Sequence, residues 1–475
     1  MFFVTGCSSG YKGNNDENVL VFKNVSVIDA VNGLRDSRNV IIKGNRIVAE
    51  GAAEDTMEPS GATVIDCNGK YLIPGLWDAH VHLGSNKDLI PVISPLFIVN
   101  GITYVRDVGG DLDLLLKLRR EAEEASYSGG LAPRIFMSGP ILRRDCLSNI
   151  SVEQALSIVD SLIDAGVDQI KLYELVPNEI FFEVVSHAKE KGFKVSAHVP
   201  GGMDVIEASN AGLGSMEHMF GLETSCSADW DSLLKARQQM IVKYSERTES
   251  WLRREIYREQ RMHAFRTQDD ERREKVLSSL ADNNTWVVPT MIVLTLADPV
   301  IYNRADWRET YRYLPEPLRS DWAKNAISEE GIIPASVYRW SDSREEMITH
   351  ARWAYDMIPR LAEAGVGIMA GTDTPLIMLT PGFSLHEELI LLVRAGLTPL
   401  QAIESATLQP AVYFGVDDQQ GSIAKGMMAD MVLLDANPLE DIANTQRINA
   451  VIREGHMHTR DNLDEILDEL ASPGP

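Results

Sequence analysis

Basic residues are scarce in this 475-residue chain: 45 lysines and arginines stand against 69 aspartates and glutamates, a formal net charge of −24. That balance excludes nucleic acid as a partner, because phosphate recognition needs a basic footprint. It also excludes charge-driven docking on anionic lipid. No apolar run reaches the roughly 20 residues that a bilayer crossing takes, so no transmembrane segment is expected. Cysteine is nearly missing as well. The four present, Cys7, Cys67, Cys146 and Cys226, show no Cys-x-x-Cys spacing, which excludes both a zinc knuckle and a disulfide framework. There is no internal repeat and no low-complexity tract.

Histidine is sparse too, with ten in the chain, yet two of them sit one residue apart in "GLWDAHVHLG" (Gly75–Gly84). The run follows a Pro-Gly pair, a strong punctuator, and is short, apolar and glycine-bounded, which suits a buried strand. Residues i and i+2 of a strand share a face, so Asp78, His80 and His82 project together. Two imidazoles on one face can chelate a divalent metal such as zinc. They can equally be two buried, hydrogen-bonded core histidines, and the pair alone does not decide.

The chain is long enough for a large core and more than one domain. Residues 19–70 carry short alternating runs, "VLVFKNVSVID", "NVIIKGNRIVAEG" and "ATVID", separated by Gly, Asn and Asp, which read as strands and turns. Residues 418–475 repeat that character in "GSIAKGMMADMVLLDANP" and "INAVIREGHMH". The two ends of the chain are therefore expected to form one split β-sandwich domain. Between them, in 71–417, apolar strand candidates alternate with amphipathic helical patterns such as Glu153–Ala165 and Glu179–Lys191. The strands are "LWDAHVH", "ITYVRDVG", "RIFMSG", "DQIKLYE", "KVSAHV", "GSMEHM", "WVVPTM" and "VGIMAGTD". The expectation is an α/β fold, a (β/α)8 barrel with helical insertions at 223–285 and 297–345. The second insertion is rich in Trp and Tyr. It reads either as a lid over an apolar part of the substrate or as a separately packed excursion.

Residues 1–18, "MFFVTGCSSGYKGNNDEN", read as a tether. "VTGC" resembles a bacterial lipobox, which implies a lipid anchor at Cys7 and a periplasmic or membrane-anchored location. Only Met1–Gly6 precede that cysteine, whereas a signal peptide needs a basic start and about 7–15 apolar residues. A cytoplasmic location is the alternative.

Barrel active sites lie at the C-terminal ends of the strands, so polar residues there are informative. Strand one offers His80 and His82, strand four Lys171, strand five His198, strand six His218 and strand eight Asp373. Six metal-competent residues at one level of a barrel are not a structural accident. A lysine buried without purpose would carry a large desolvation penalty. The other six histidines fall in helices or loops and read as ordinary packing or surface residues.

With these motifs the chain resembles the amidohydrolase superfamily, two-metal subtype, in the imidazolonepropionase-like branch that includes prolidase-type dipeptidases. "PGLWDAHVHL", "GITYVRDVGG", "IKLYE", "AHVPGG", "EHMFG" and "AGTDTP" carry the likeness over almost the whole chain. Lys171 departs from true imidazolonepropionases, which look like one-metal enzymes without that ligand. The resemblance implies two divalent metal ions, zinc by ligand type with manganese or cobalt as substitutes, and carbon dioxide held as a carbamate on Lys171. His80, His82 and Asp373 would hold the more buried ion, and His198 and His218 the other. A metal-bridging hydroxide would attack a small amide, a dipeptide of prolidase type or an N-acyl amino acid, with Asp373 as the catalytic proton shuttle. Tyr173 and Phe220 are expected at the substrate, and Arg106 or Arg144 on its carboxylate. For Tyr173 a plain packing role, and for the arginines surface pairing, stand beside these readings. A lactonase or esterase on the same site, and a non-enzymatic scaffold, are the alternatives. The oligomeric state, homo-oligomers included, is left open.

Overall fold

A computed structural model describes residues 19–126, 129–147, 150–296, 301–325 and 344–471. The tether at 1–18, with Cys7, and Tyr338 and Trp340 of the second insertion lie outside the described residues. The chain opens with β1 (Val19–Asp29), β2 (Gly33–Lys43), β3 (Arg46–Ala52), β4 (Thr63–Asp66) and β5 (Tyr71–Pro74). Seven short strands follow: β6 (Leu76–Val81), β7 (Ile102–Asp107), β8 (Arg134–Met137), β9 (Gln169–Leu172), β10 (Lys194–Ala197), β11 (Ser215–Glu217) and β12 (Trp286–Val288). Three more close the chain: β13 (Met431–Leu434), β14 (Ile448–Arg453) and β15 (His456–Thr459).

The first five and last three strands belong to one eight-stranded sheet, ordered β15-β14-β13-β5-β1-β2-β3, with β4 paired to β1. The join between the chain's two ends is the antiparallel ladder of β5 on β13, from Pro74 opposite Met431 to Tyr71 opposite Leu434. Their alternating apolar residues share one core, in which Phe22, Val27 and Leu72 meet Met431, Leu433 and Ile452. A polar cluster ties this sheet to the rest of the molecule. Tyr104 donates its hydroxyl to buried Asp430, and Asp430 also accepts from Arg453 Nη1 at 3.1 Å and from the Glu454 amide at 2.6 Å.

The middle strands are parallel, in sheets of three (β6-β7-β8) and four (β9-β10-β11-β12). Parallel bridges at Leu142–Leu172, Val287–Ile368 and Val81–Thr374 lie at their edges. The arrangement is TIM-barrel-like. The helices expected at 153–165 and 179–191 are Val152–Asp164 and Asn178–Glu190. The first starts on a reciprocal Ser151–Gln154 capping box.

The eighth segment differs from expectation. Residues 367–374 make bridges on both sides and form no regular strand. Asp373 sits at φ 64°, outside the strand region. At Gly371 a Cβ would stand 2.7 Å from the Cβ of His80, so only glycine lets this segment lie against β6. The first insertion forms helices Trp230–Lys243, Glu249–Arg266 and Asp270–Asp282. In the second, Tyr302, Trp307, Tyr311, Tyr313 and Trp322 are buried in the main core. The Tyr302 hydroxyl donates to the Ile377 carbonyl, which anchors this insertion on the loop just after Asp373.

Candidate metal centre

Five of the six candidate residues lie at or just past the C-terminal end of a strand, and Asp373 lies in the eighth segment, which forms no regular strand. His80 and Lys171 are penultimate in β6 and β9. His82, His198 and His218 immediately follow the last residues of β6, β10 and β11. All are buried, Lys171 to within 1% of full enclosure. The ring centroids of His80 and His218 are 4.5 Å apart, those of His198 and His218 4.8 Å, and those of His80 and His82 5.4 Å. Ligand atoms of His80, His218 and Asp373 fall within 4.8 Å of one another. Asp373 Oδ1 lies 3.3 Å from His80 Nε2 and 3.1 Å from His82 Nε2. His218, Met219, Thr290 and Asp373 all have φ between 48° and 64°. Non-glycine residues held there store strain, which is typical of functional sites.

Hydrogen bonding on the outer side of each ring sets its proton. His82 Nδ1 is 2.9 Å from the Gly109 carbonyl, which can only accept. His218 Nδ1 is 2.7 Å from Thr290 Oγ1, whose own proton goes to the Pro289 carbonyl. His80 Nδ1 is 2.7 Å from the Glu217 carboxylate. For His82 and His218 this places the hydrogen on Nδ1 and leaves a bare Nε2 lone pair. The Nε2 atoms of His80 and His82 both face one carboxylate oxygen of Asp373. His80 Nε2, Asp373 Oδ1, His198 Nδ1 and the Lys171 amine have no hydrogen-bond partner although buried. Converging acceptors without a donor repel each other, and a cation between them removes the repulsion. The residues present therefore fit divalent metal.

Burial shifts the charges in the same sense. It pulls the Lys171 amine down to about 8, against the upward pull of the nearby Glu217 carboxylate. It holds the His198 and His218 imidazoles well below their ordinary value, hence neutral.

Of the residues expected at the substrate, Tyr173 packs its ring 4.4 Å from that of His198. Phe220 lies 5.2 Å from His198 and 5.0 Å from His218. Arg106 differs from expectation. Arg106 is fully enclosed and donates to Gln169, the Ala79 carbonyl, Ser215 and Glu217, so it cannot meet a substrate carboxylate. Arg144 donates through Nη2 to the Ser245 carbonyl in the first insertion, while its Nη1 has no hydrogen-bond partner. Two other arginines are at Tyr173 instead. Arg253, from helix Glu249–Arg266, donates to its hydroxyl at 2.6 Å, and the Arg143 guanidinium lies 4.7 Å from its ring centre. Glu217 and Arg253 were both missed from sequence. A charged residue inside an apolar strand was the available signal for Glu217. Arg253 reaches Tyr173 across 80 positions and left none.

A TIM-barrel-like frame with histidines, a lysine and an aspartate converging at its strand ends defines a candidate metal-dependent hydrolase. Residues 326–457 match the amidohydrolase family. Over 128 residues it is 41% identical to ochratoxinase of Aspergillus niger, covering 26% of this chain and 24% of that protein; the match thus spans about a quarter of that relative. Two solved structures superimpose along nearly the full length. A Xaa-Pro dipeptidase with bound methionine has a TM-score of 0.65 at 19% identity, covering 93% of this chain and 100% of the other. A bottromycin amidohydrolase has a TM-score of 0.69 at 20% identity, covering 95% and 91%. At that identity the likeness is one of fold.

Proposed function

We propose that the protein is a metal-dependent amidohydrolase that cleaves a small amide bond, in a dipeptide of prolidase type or an N-acyl amino acid. The observation that carries this reading is the convergence of the buried His80, His82 and His218 rings on Asp373. His80, His82 and Asp373 would hold one divalent ion, His198 and His218 a second, and Lys171, as its carbamate, would be shared. Two such ions, zinc by ligand type, supply Lewis acidity and a nucleophile ionised near neutral pH. The eight parallel segments, 367–374 included, are read as a closed (β/α)8 barrel over 71–417. Residues 19–70 and 418–475 are read as its companion β domain. Lipidation at Cys7, with the enzyme at a periplasmic membrane face, is proposed from sequence alone.

The chain's own groups then divide the work. Asp373 takes the proton of the attacking water and returns it to the departing nitrogen, a need that is acute for amides because an amide anion is a poor leaving group. Tyr173, its hydroxyl set by Arg253, is placed to hydrogen-bond the substrate. Arg253 and Arg143 take the carboxylate-binding role first expected of Arg106, with Arg144 kept as a further candidate, since a guanidinium suits a planar carboxylate. Phe220 supplies an apolar wall beside His198 and His218. The likeness in fold to a Xaa-Pro dipeptidase supports amide cleavage as the reaction class.

The test is a parallel panel of dipeptides, N-acyl amino acids and lactones on zinc-loaded protein, with Asp373→Asn as control. Amide turnover that falls at least about a hundredfold in the variant is expected, within the usual range for a general acid–base group. Lactones turned over many-fold faster than every amide would replace the reading with a lactonase. No turnover and no bound metal would leave a scaffold.

A further inference from the structure

We propose that Glu217 and Arg106 form a positioning pair that keeps the proton of His80 on Nδ1 and so holds its Nε2 open for a metal ion. The inference rests on the metal reading of the same cluster. Both residues are fully buried. Glu217 Oε2 meets His80 Nδ1 at 2.7 Å, while Oε1 accepts from Arg106 Nη2 and from Ser215 Oγ, each at 2.8 Å. The other Arg106 donors reach Gln169 Oε1 and the Ala79 carbonyl, both at 3.1 Å. One guanidinium in β7 thus ties together β6, β9 and β11, the strands that carry or lead into His80, Lys171 and His218.

The His80 ring has two acidic neighbours on opposite sides. Glu217 lies 2.7 Å from Nδ1 and Asp373 3.3 Å from Nε2. A neutral imidazole has one N–H to give. Given to Asp373, that proton would occupy the position where a metal ion binds. Given to Glu217, it leaves the Nε2 lone pair free. The shorter contact is with Glu217, and Arg106 with Ser215 fixes that carboxylate in place. His82 and His218 have neutral acceptors at Nδ1, a carbonyl and a hydroxyl. Among the described residues only His80 has charged oxygens on both sides, so only there does the proton need a second carboxylate to hold it. A buried ion pair is a poor source of stability, because well-packed apolar residues of similar volume serve as well or better. A role in orienting a metal ligand accounts for keeping one under the site, and outer partners of ligating histidines act this way generally.

The experiment has two arms on the full chain. In the first, two-bond 1H–15N spectra of metal-free, 15N-histidine-labelled protein read the tautomer of His80, assigned by its loss in His80→Asn. Wild type is expected to show the Nδ1–H form and Glu217→Gln a shift toward the Nε2–H form. In the second, chelator competition measures zinc affinity. Glu217→Gln should weaken the tighter zinc site by about 10- to 100-fold, and Arg106→Lys should weaken it less. Tyr413→Phe, which only trims hydroxyl contacts at 3.4 Å from Gln169 and Ser215, should leave it unchanged. An Nε2–H tautomer in wild type overturns the proposal whether or not any variant folds. So does unchanged tautomer and zinc affinity in Glu217→Gln. Wild-type protein that binds no zinc while showing the Nδ1–H tautomer, lost in Glu217→Gln, would retire the metal reading and leave the positioning of His80 standing.

Discussion

His386 offers a test that the metal does not touch. It lies in helix Phe383–Arg394 and is 1% exposed. Its Nε2 is 3.1 Å from the Asn100 carbonyl and its Nδ1 3.0 Å from Thr445 Oγ1. A neutral ring satisfies both contacts, with Nε2–H donating and Nδ1 accepting. Burial pushes the imidazole down to about 4 from 6.5. The unfolded chain therefore binds more protons than the native one between these values, and stability rises with pH across that window. The contribution is fully present above about 6.5 and is lost as pH falls toward 4. A shift of 2.5 units corresponds to about 3 kcal/mol in full, of which about 2 kcal/mol is lost between pH 7.5 and pH 5. His386→Gln keeps a donor and an acceptor but cannot titrate. Denaturant midpoints for wild type and variant at both pH values isolate the term as a difference of differences, which cancels every other titrating group. The variant should lose about 2 kcal/mol less on acidification. Parallel pH profiles would refute the reasoning.

Three further outcomes follow from the geometry. Lys171→Ala should hold fewer metal ions per chain than wild type by elemental analysis, even with bicarbonate present, because the shared ligand is gone. Arg253→Gln should raise KM for substrates with a free carboxylate about ten- to a hundredfold, the equivalent of one charged hydrogen bond of about 1.5–3 kcal/mol; an unaltered KM would remove Arg253 from the substrate. Asp430→Ala should destabilise the fold by about 1–3 kcal/mol, since Tyr104, Arg453 and the Glu454 amide would lose their shared buried acceptor while Arg453 keeps Glu454, and a melting curve like that of wild type would show the cluster to be dispensable.

Much of this was legible where local pattern decides. The glycine-bounded apolar run around His80 and His82 reads as a strand because nothing in it suits another element. The helix at Val152–Asp164 begins at a capping box that is explicit in the sequence. Other features depend on contacts that a sequence does not display. The eighth segment looks like an apolar strand, but Asp373 must turn to φ 64° to face the histidines, and that breaks the regular ladder. Arg106 shares the barrel interior with the ligands, as alternation along β7 requires. Whether an inward residue points above or below the ligand level is set by the stagger between strands, and this placed it under the site rather than over the substrate. Arg253 came from an insertion whose docking onto Tyr173 no periodicity announces.

The ladder that joins β5 to β13 has a consequence for how the chain is made. From Pro74 to Met431, paired in that ladder, the ribosome must add 431 − 74 = 357 residues. At roughly 5–20 residues per second that takes on the order of 20–70 s. Throughout that time the strand that leads directly into β6 and the first histidine has an open edge. Unpaired edges invite association with other nascent chains. Chains on crowded polysomes are the ones at risk, and a chaperone that shields extended apolar segments would have its target in Tyr71–Pro74. Emergence of β13, β14 and β15, rather than emergence of the barrel, is the moment at which this fold can first be completed.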